Sequence, residues 1–198
     1  GSSLLNYGDL STLSFHATKL FHTVEGGAIV AHTPQLAVIL TKVKSFGHLG
    51  DEYFTLGINA KNSEFHAAMG LCVLPNVADI AQRRRVICEI YDNELRDLGI
   101  VFFKILQNYE YNYAYYPVVF QNETQLLTVK QTLNSNQINP RRYFYPSLNT
   151  LPFLQARQPC LISEDISSRV LCLPLYDSLE KQDVLRISDL IRKVLIVS

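Results

Sequence analysis

Residues 14–31 of the chain read SFHATKLFHTVEGGAIVA, and this stretch decides how the rest is interpreted. Small, apolar and β-branched side chains predict a strand over residues 27–32, and a shorter apolar run predicts one over residues 10–15. The segment between them is too polar and irregular for either a strand or a helix. Thr33, followed by proline, then predicts the start of a helix that continues to about Ser45. This order of elements is typical of an α/β fold.

The loop between the two predicted strands concentrates three reactive side chains. Ser14 supplies a hydroxyl, His16 an imidazole and Lys19 a primary amine. Gly26 and Gly27 allow the backbone to turn tightly before the second strand. A partly desolvated lysine amine can act as a nucleophile. A surface lysine beside a strand is the alternative interpretation, and spacing alone does not decide between them.

The remaining sequence predicts a mixture of helices and strands without strict alternation. Helices are expected from about Asn62, Asn76, Asn122, Ser163 and Lys181, strands over residues 100–106, 113–120 and 142–145, and a loop over residues 48–57. This pattern indicates two parts, the end of an α/β sheet followed by a smaller α+β unit.

Composition excludes several classes of protein. The chain has 198 residues, of which 47% are hydrophobic and 18% charged, with 18 basic and 18 acidic side chains. An intrinsically disordered chain would show low hydrophobicity and high net charge. A formal net charge of zero also argues against a nucleic-acid partner, because there is no basic excess to neutralise phosphates.

The cysteines and the apolar runs bear on localisation. The chain has four cysteines, none in a C-x-x-C pair, so no metal site is expected and the thiols are predicted to be reduced and buried. No apolar run reaches the roughly 18 residues that span a bilayer, and the first residues lack the pattern of a signal peptide. We therefore expect a cytoplasmic protein without a membrane partner.

Two blocks carry a family resemblance. The first is SFHATK with EGGAI, and the second, at residues 57–71, reads GINAKNSEFHAAMGL. Together they resemble the signature of the DegT/DnrJ/EryC1/StrS family of pyridoxal-phosphate sugar aminotransferases. The resemblance implies an α/β chain that is the C-terminal part of a fold-type I aminotransferase. Residues 1–74 would end the large cofactor-binding domain, and residues 75–198 would form the small α+β domain.

The resemblance also implies a site. Lys19 would be the catalytic Schiff-base lysine for pyridoxal 5′-phosphate, and the Ser14 hydroxyl would contact the cofactor phosphate. His16 would lie beside the cofactor, with a half-buried structural histidine as the alternative. Asn59 and Lys61 match a segment that reaches the partner subunit's phosphate site in the family dimer. A homodimer with the active site at its interface is therefore implied.

A third informative stretch covers residues 139–149, which read NPRRYFYPSLN. In the family, the corresponding segment borders the sugar-nucleotide pocket. Arg141 or Arg142 would then pair with a diphosphate, and Tyr143 or Tyr145 would contact the sugar. An amphipathic edge strand with solvated arginines is the alternative.

The resemblance also indicates which reaction of the family is expected. The motifs are similar to those of the branch that transfers an amino group, with glutamate as donor, to C4 of dTDP-4-keto-6-deoxyglucose for surface-glycan or deoxysugar biosynthesis. The Tyr-Pro-x-Lys-Asn loop of the 3-keto branch is not found. The family's aspartate against the pyridine nitrogen has no counterpart, because Asp9 is the sole acid before Lys19. A truncated domain that folds or dimerises without activity is therefore the second hypothesis.

Overall fold

The computed structural model describes residues 1–155 and 158–197. Its strands are β1 Leu10–Ser14, β2 Gly27–Ala31, β3 His48–Leu49, β4 Glu52–Tyr53, β5 Val101–Phe102, β6 Tyr116–Val119 and β7 Val170–Leu173. Its α-helices are α1 Pro34–Val43, α2 Glu64–Val73, α3 Val77–Leu95, α4 Glu123–Ser135, α5 Leu161–Arg169 and α6 Lys181–Val197. Two compact units divide the chain: unit 1 is Gly1–Ala78, and unit 2 begins at Asp79.

Unit 1 begins with an antiparallel pair formed by β1 and β2, in which Ser14 lies opposite Gly27. Both strands and the following helix are confirmed. The α1 helix begins where predicted because the Thr33 hydroxyl accepts a hydrogen bond from the Leu36 N–H at 3.2 Å. Residues 48–57 are not wholly a loop, since β3 and β4 form a short hairpin there. Strands of two residues are too short to leave a recognisable pattern.

The remaining elements of unit 1 are helical. The α2 helix begins after Ser63, whose hydroxyl accepts from the His66 N–H at 3.3 Å. A 3-10 turn that contains Pro75 then separates α2 from α3, as predicted. The α3 helix crosses the boundary between the units and ends before Gly99, which adopts a φ of +68°.

Unit 2 is built on the antiparallel sheet β5-β6-β7, with α4 and α6 packed together. Its core brings together apolar side chains from the sheet and from α3, α4 and α6, including Tyr91, Leu95, Val118, Phe120, Leu126, Val129, Leu133, Leu171, Val184 and Ile191. The buried Tyr91 hydroxyl donates to the carbonyl of Pro174 at 3.1 Å, so its polar atom is satisfied.

The strands predicted over residues 100–106 and 113–120 are shorter in the structure. Residues 103–115 are irregular instead. Local hydrogen bonds hold this segment, because the Tyr111 hydroxyl donates to the Tyr115 carbonyl at 2.9 Å and Asn112 Oδ1 accepts from the Ala114 N–H at 3.1 Å. Such side-chain bonds compete with the ladder of a sheet.

Two further predictions were wrong. Ser163 does not cap a helix, since α5 begins at Leu161 and the Cys160 N–H donates to Glu164 Oε1 at 2.8 Å. Residues 142–145, all within the described part of the chain, form no strand. Pairing stops at Arg141, which exchanges backbone hydrogen bonds with Cys172, and Pro146 offers no donor to extend it.

Four free cysteine thiols lie in the described residues. Cys88 and Cys172 are buried, as expected, and burial raises the pKa of these thiols to about 12 and about 11. Cys72 and Cys160 are exposed, contrary to the prediction. Among the described helices, none has the length and hydrophobicity needed to cross a bilayer.

Candidate functional site

The loop that carries Lys19 is closed at its base by backbone hydrogen bonds. The Phe15 N–H donates to the Gly26 carbonyl, and the Thr23 N–H donates to the Phe15 carbonyl, both at 2.9 Å. Within the loop, the Lys19 N–H donates to the His16 carbonyl at 2.9 Å and forms a turn. Lys19 is half-buried as a result. The end of β1 thus delivers a primary amine from a short, closed loop.

The imidazole of His16 has a defined orientation. Its Nδ1 accepts from the Thr18 N–H at 3.2 Å and lies 2.9 Å from the Thr18 hydroxyl. Because a backbone N–H can only donate, the neutral ring must carry its proton on Nε2. That nitrogen lies 3.7 Å from Glu25 Oε1. Both side chains are largely exposed, so this pair orients the ring and contributes little to stability.

Thr23 is a buried polar residue of the same loop. Its side chain is 4% exposed, and its hydroxyl donates to the Glu25 carbonyl at 2.6 Å. A Cβ at Gly26 would lie 2.3 Å from that hydroxyl oxygen, and one at Gly70 would lie 2.9 Å from the Thr23 methyl group. Both positions therefore require glycine, and α2 packs closely against the loop at Gly70. Sequence reasoning assigned no role to Thr23 or Gly70, although a glycine inside a helix is a signal of close packing.

Asn59 and Lys61 lie on a segment that runs beside the end of α1. Asn59 forms an isolated bridge with Ser45, and the Lys61 ammonium lies 5.2 Å from the centre of the Phe46 ring. Both predicted side chains are exposed. The next residue, Asn62, approaches the lysine loop, since its Oδ1 is 3.6 Å from the position of a Cβ on Gly26.

The two arginines of residues 141–145 have different surroundings in unit 2. Arg142 donates through Nη2 to Glu123 Oε1 at 2.8 Å and to the Ser168 carbonyl at 2.7 Å, and its guanidinium lies 3.4 Å from the Tyr145 ring centre. With 12% of its side chain exposed, Arg142 is engaged within the protein. Arg141 is exposed, with its guanidinium 5.8 Å from the ring centre of Tyr143.

A polar network fixes the segment that follows. Asn149 donates through Nδ2 to Glu164 Oε1 at 2.6 Å, and the buried Ser147 hydroxyl donates to Asn149 Oδ1 at 2.6 Å. The Cys160 N–H and the Asn149 amide hold the pKa of the Glu164 carboxyl below its usual range. On α3, Arg84 is not wholly solvated, since its Nη1 donates to the Ala114 carbonyl at 3.1 Å.

The donor set can be compared with two kinds of cofactor site. Over residues 1–155 and 158–197, no group of three or more His, Cys, Asp or Glu side chains could hold a metal ion. Unit 1 instead offers an amine, a hydroxyl at the strand end and an oriented imidazole. An amine of this kind condenses with an aldehyde, and a hydroxyl can donate to a phosphate, so the residues fit pyridoxal phosphate.

A strand end that presents a lysine amine from a closed loop, in a chain of mixed helices and sheets, is compatible with the α/β aminotransferases. Residues 1–192 match the DegT/DnrJ/EryC1/StrS aminotransferase family, and the chain belongs to that family. The family resemblance and the partial α/β aminotransferase fold are both confirmed.

Individual relatives agree. A dTDP-4-amino-4,6-dideoxy-D-glucose transaminase of Shigella dysenteriae is 32% identical over 199 residues, which covers 97% of this chain and 54% of the relative. The crystal structure of DesI in the presence of its TDP-sugar product superposes with a TM-score of 0.86 at 32% identity, over 94% of this chain and 49% of DesI. The aminotransferase TlmJ of Streptoalloteichus hindustanus shares the fold, with a TM-score of 0.90 at 23% identity over 96% of this chain and 53% of TlmJ. The chain therefore spans about half the length of these relatives.

Proposed function

We propose that the protein is a pyridoxal-phosphate-dependent aminotransferase and that Lys19 is its catalytic lysine. The observation that carries this proposal is the half-buried Lys19, which lies on a loop after β1 that is closed by the backbone hydrogen bonds between Phe15, Thr23 and Gly26. A closed loop restricts the positions that the amine can take, which favours proximity catalysis. Membership of an aminotransferase family supports the proposal.

Each predicted residue then has a chemical task. Pyridoxal phosphate, when bound, supplies an electron sink for the carbon that exchanges its amino group. Lys19 would hold the cofactor through its amine and, once released, would carry a proton between donor and acceptor carbons. The Ser14 hydroxyl would donate to the phosphate, and Asn59 and Lys61 would contribute an amide and a cation to a phosphate site shared with a second subunit. His16 would present its Nε2–H beside the cofactor.

We propose a nucleotide-linked keto-deoxysugar as amino acceptor, in the form of dTDP-4-keto-6-deoxyglucose, with glutamate as donor and a surface glycan or deoxysugar as the end product. The support is the 32% identity to the Shigella transaminase over nearly the whole chain. Arg141 would meet the diphosphate, because its guanidinium is exposed whereas Arg142 is engaged with Glu123 and Ser168. Arg142 would instead hold the segment that presents Tyr143 and Tyr145.

The domain assignment and the dimer belong to the same proposal. Residues 1–74 would complete a large cofactor-binding domain and residues 75–198 would form the small domain, close to the division between the two compact units after Ala78. A homodimer would place Asn59 and Lys61 of one subunit at the phosphate of the other. Exposed side chains at both positions are compatible with a subunit contact.

The test traps the lysine directly. The protein purified from its source is incubated with pyridoxal phosphate, reduced with borohydride, and analysed by intact mass and peptide mapping. One reduced adduct on Lys19 is expected, and it should be lost in Lys19→Ala. Lys44→Ala is the matched control, because Lys44 is an exposed lysine of the same unit and its removal should leave the adduct unchanged. An adduct that survives in Lys19→Ala would contradict the proposal.

A domain without activity of its own is the second candidate. It is favoured by one observation: among residues 1–78, all of which are described, no apolar side chain is buried. The same trapping experiment on the 198-residue chain separates the candidates. An adduct on the source protein but none on the 198-residue chain would mean that Lys19 needs further polypeptide to bind the cofactor.

A further inference from the structure

A pocket of about 50 Å³ lies in unit 2, where the irregular segment after β5 returns beside β6. The aromatic residues and the carboxylate that line it are Asp92, Phe102, Phe103, Tyr111, Tyr113, Tyr115 and Tyr116. Since a water molecule occupies about 30 Å³ of the liquid, the pocket can take one small group. It is far below the several hundred Å³ of a typical ligand site. No residue proposed for transamination lines it.

The rings form a nearly continuous wall. The ring centres of Phe103 and Tyr111 are 5.3 Å apart, and those of Tyr111 and Tyr113 are 5.2 Å apart with the planes inclined at 65°. Phe102 and Tyr116 form a second pair, 6.3 Å apart. The face of an aromatic ring carries partial negative charge, so a cation that approaches the face of one of these rings is attracted to it.

The polar groups of the pocket reinforce this preference. The Tyr116 hydroxyl donates to Asp92 Oδ1 at 2.6 Å, and the Tyr111 hydroxyl donates to the Tyr115 carbonyl at 2.9 Å, so both phenolic protons are used. The Cys88 thiol stays neutral because burial raises its pKa to about 12. The charged lining group is the Asp92 carboxylate, which can accept a hydrogen bond from a ligand, and the further hydroxyl of Tyr113 also belongs to the lining.

No described basic side chain lines the pocket, although Lys104 lies between the lining residues Phe103 and Ile105 in the sequence. Two arginines of α3 donate hydrogen bonds to other groups. Arg85 Nε lies 2.9 Å from Glu89 Oε1, and Arg84 donates to the Ala114 carbonyl. Neither is a lining residue of the pocket. Ring faces and a carboxylate, without a lining cation, disfavour an anion and favour a small cation with some apolar surface.

We propose that this aromatic pocket binds the head group of a small methylated ammonium ion. The methyl groups would lie against the rings, and an N–H of the ammonium would donate to Asp92. Phe103, which lines the pocket, is 58% exposed, so the pocket is accessible from solvent. The proposal is independent of transamination at Lys19.

The first experiment compares two ligands of the same shape. N,N-dimethylethanolammonium chloride and its neutral isostere 3-methylbutan-1-ol are titrated into the 198-residue chain by calorimetry at constant ionic strength. The cation is expected to bind at least about tenfold more tightly than the alcohol, because the alcohol lacks the charge that ring faces and carboxylate attract. Equal affinities would mean that the pocket does not distinguish a cation from a neutral apolar group, and the proposal would be wrong. No binding of the cation would also overturn the proposal.

Variants then test whether the cation binds in this pocket. Phe103→Leu keeps an apolar side chain but removes a ring, and Asp92→Asn removes the charge while an amide oxygen can still accept from Tyr116. Both should weaken cation binding at least about fivefold. Phe153→Leu is the matched control, because Phe153 is 74% exposed and does not line the pocket. If Asp92→Asn unfolds, Phe103→Leu still decides, and its unchanged affinity would overturn the proposal.

Discussion

Units 1 and 2 both contain many apolar side chains, but these side chains are buried only in unit 2. In unit 2, side chains such as Leu126, Val129 and Leu171 are completely inaccessible to solvent. In unit 1, all of whose residues are described, no apolar side chain is buried, and Leu56, Phe65 and Leu71 are 94%, 89% and 72% exposed. Since burial of apolar surface is the main term that stabilises a fold, we expect unit 2 to be stable by itself and unit 1 not to be.

The largest effect is expected from separating the units. A chain of residues 79–198 should unfold cooperatively in urea, because it contains the entire buried core. A chain of residues 1–78 should show no cooperative transition. Circular dichroism during a urea titration measures both. A sharp transition for residues 1–78 would show that this unit folds stably without buried apolar side chains. The proposed difference in stability between the units would then be wrong.

Matched truncations sharpen the comparison within the intact chain. Leu126→Ala removes a completely buried side chain of α4 and should lower the free energy of unfolding by about 2–5 kcal/mol. Leu56→Ala removes a side chain of the same type that is 94% exposed, and the change should stay within about 0.5 kcal/mol. Urea unfolding of the two variants measures the difference. Similar losses would mean that Leu56 is covered in solution.

The two units also differ in how well the sequence predicted them. The elements around Lys19 could be predicted because β1, β2 and α1 follow from local signals, such as the Thr33 cap. Lys19 itself could be assigned a role only from the resemblance to a family, since spacing alone favoured a surface lysine. The proposed roles of Ser14, His16, Asn59 and Lys61 rest on the same resemblance and stay predictions.

The failures fall where side-chain contacts that the residue pattern does not reveal decide the structure. The α5 helix begins before Ser163 because the Glu164 side chain accepts from the Cys160 N–H, a contact that no hydroxyl pattern reveals. The engagement of Arg142 with Glu123 and the Ser168 carbonyl depends on residues 19 and 26 positions away in the chain. The exposure of Cys72 was missed because sequence patterns show apolar surroundings but not whether anything covers them.

A third prediction concerns how unit 1 holds its loop without a buried core. Gly70→Ala adds a Cβ only 2.9 Å from the Thr23 methyl group, so Thr23 or α2 must shift. We expect at least about a threefold slower formation of the borohydride-reduced Lys19 adduct, because a small displacement of a reacting group has a large effect on rate. Ala68→Gly changes an exposed position of the same helix and serves as the control for a general effect on the stability of α2. An unchanged rate in Gly70→Ala would mean that the contact between Thr23 and α2 does not position Lys19.

The smallest effect is expected at Glu164 in unit 2, where stability rests on the core. The hydrogen bonds from Cys160 and Asn149 lower the pKa of its carboxyl in the folded state. The resulting stabilisation is present above the unfolded-state pKa of about 4.3 and is lost as the pH falls through the folded-state value. Glu164→Gln should therefore lower the unfolding free energy slightly at pH 7, where the charged carboxylate stabilises the fold, and should flatten its decline below about pH 4.3. Thr124→Ser, at an exposed position of α4, should keep the wild-type pH profile. If Glu164→Gln also keeps that profile, then the hydrogen bonds from Cys160 and Asn149 do not lower the carboxyl pKa in the folded state, and this prediction is wrong.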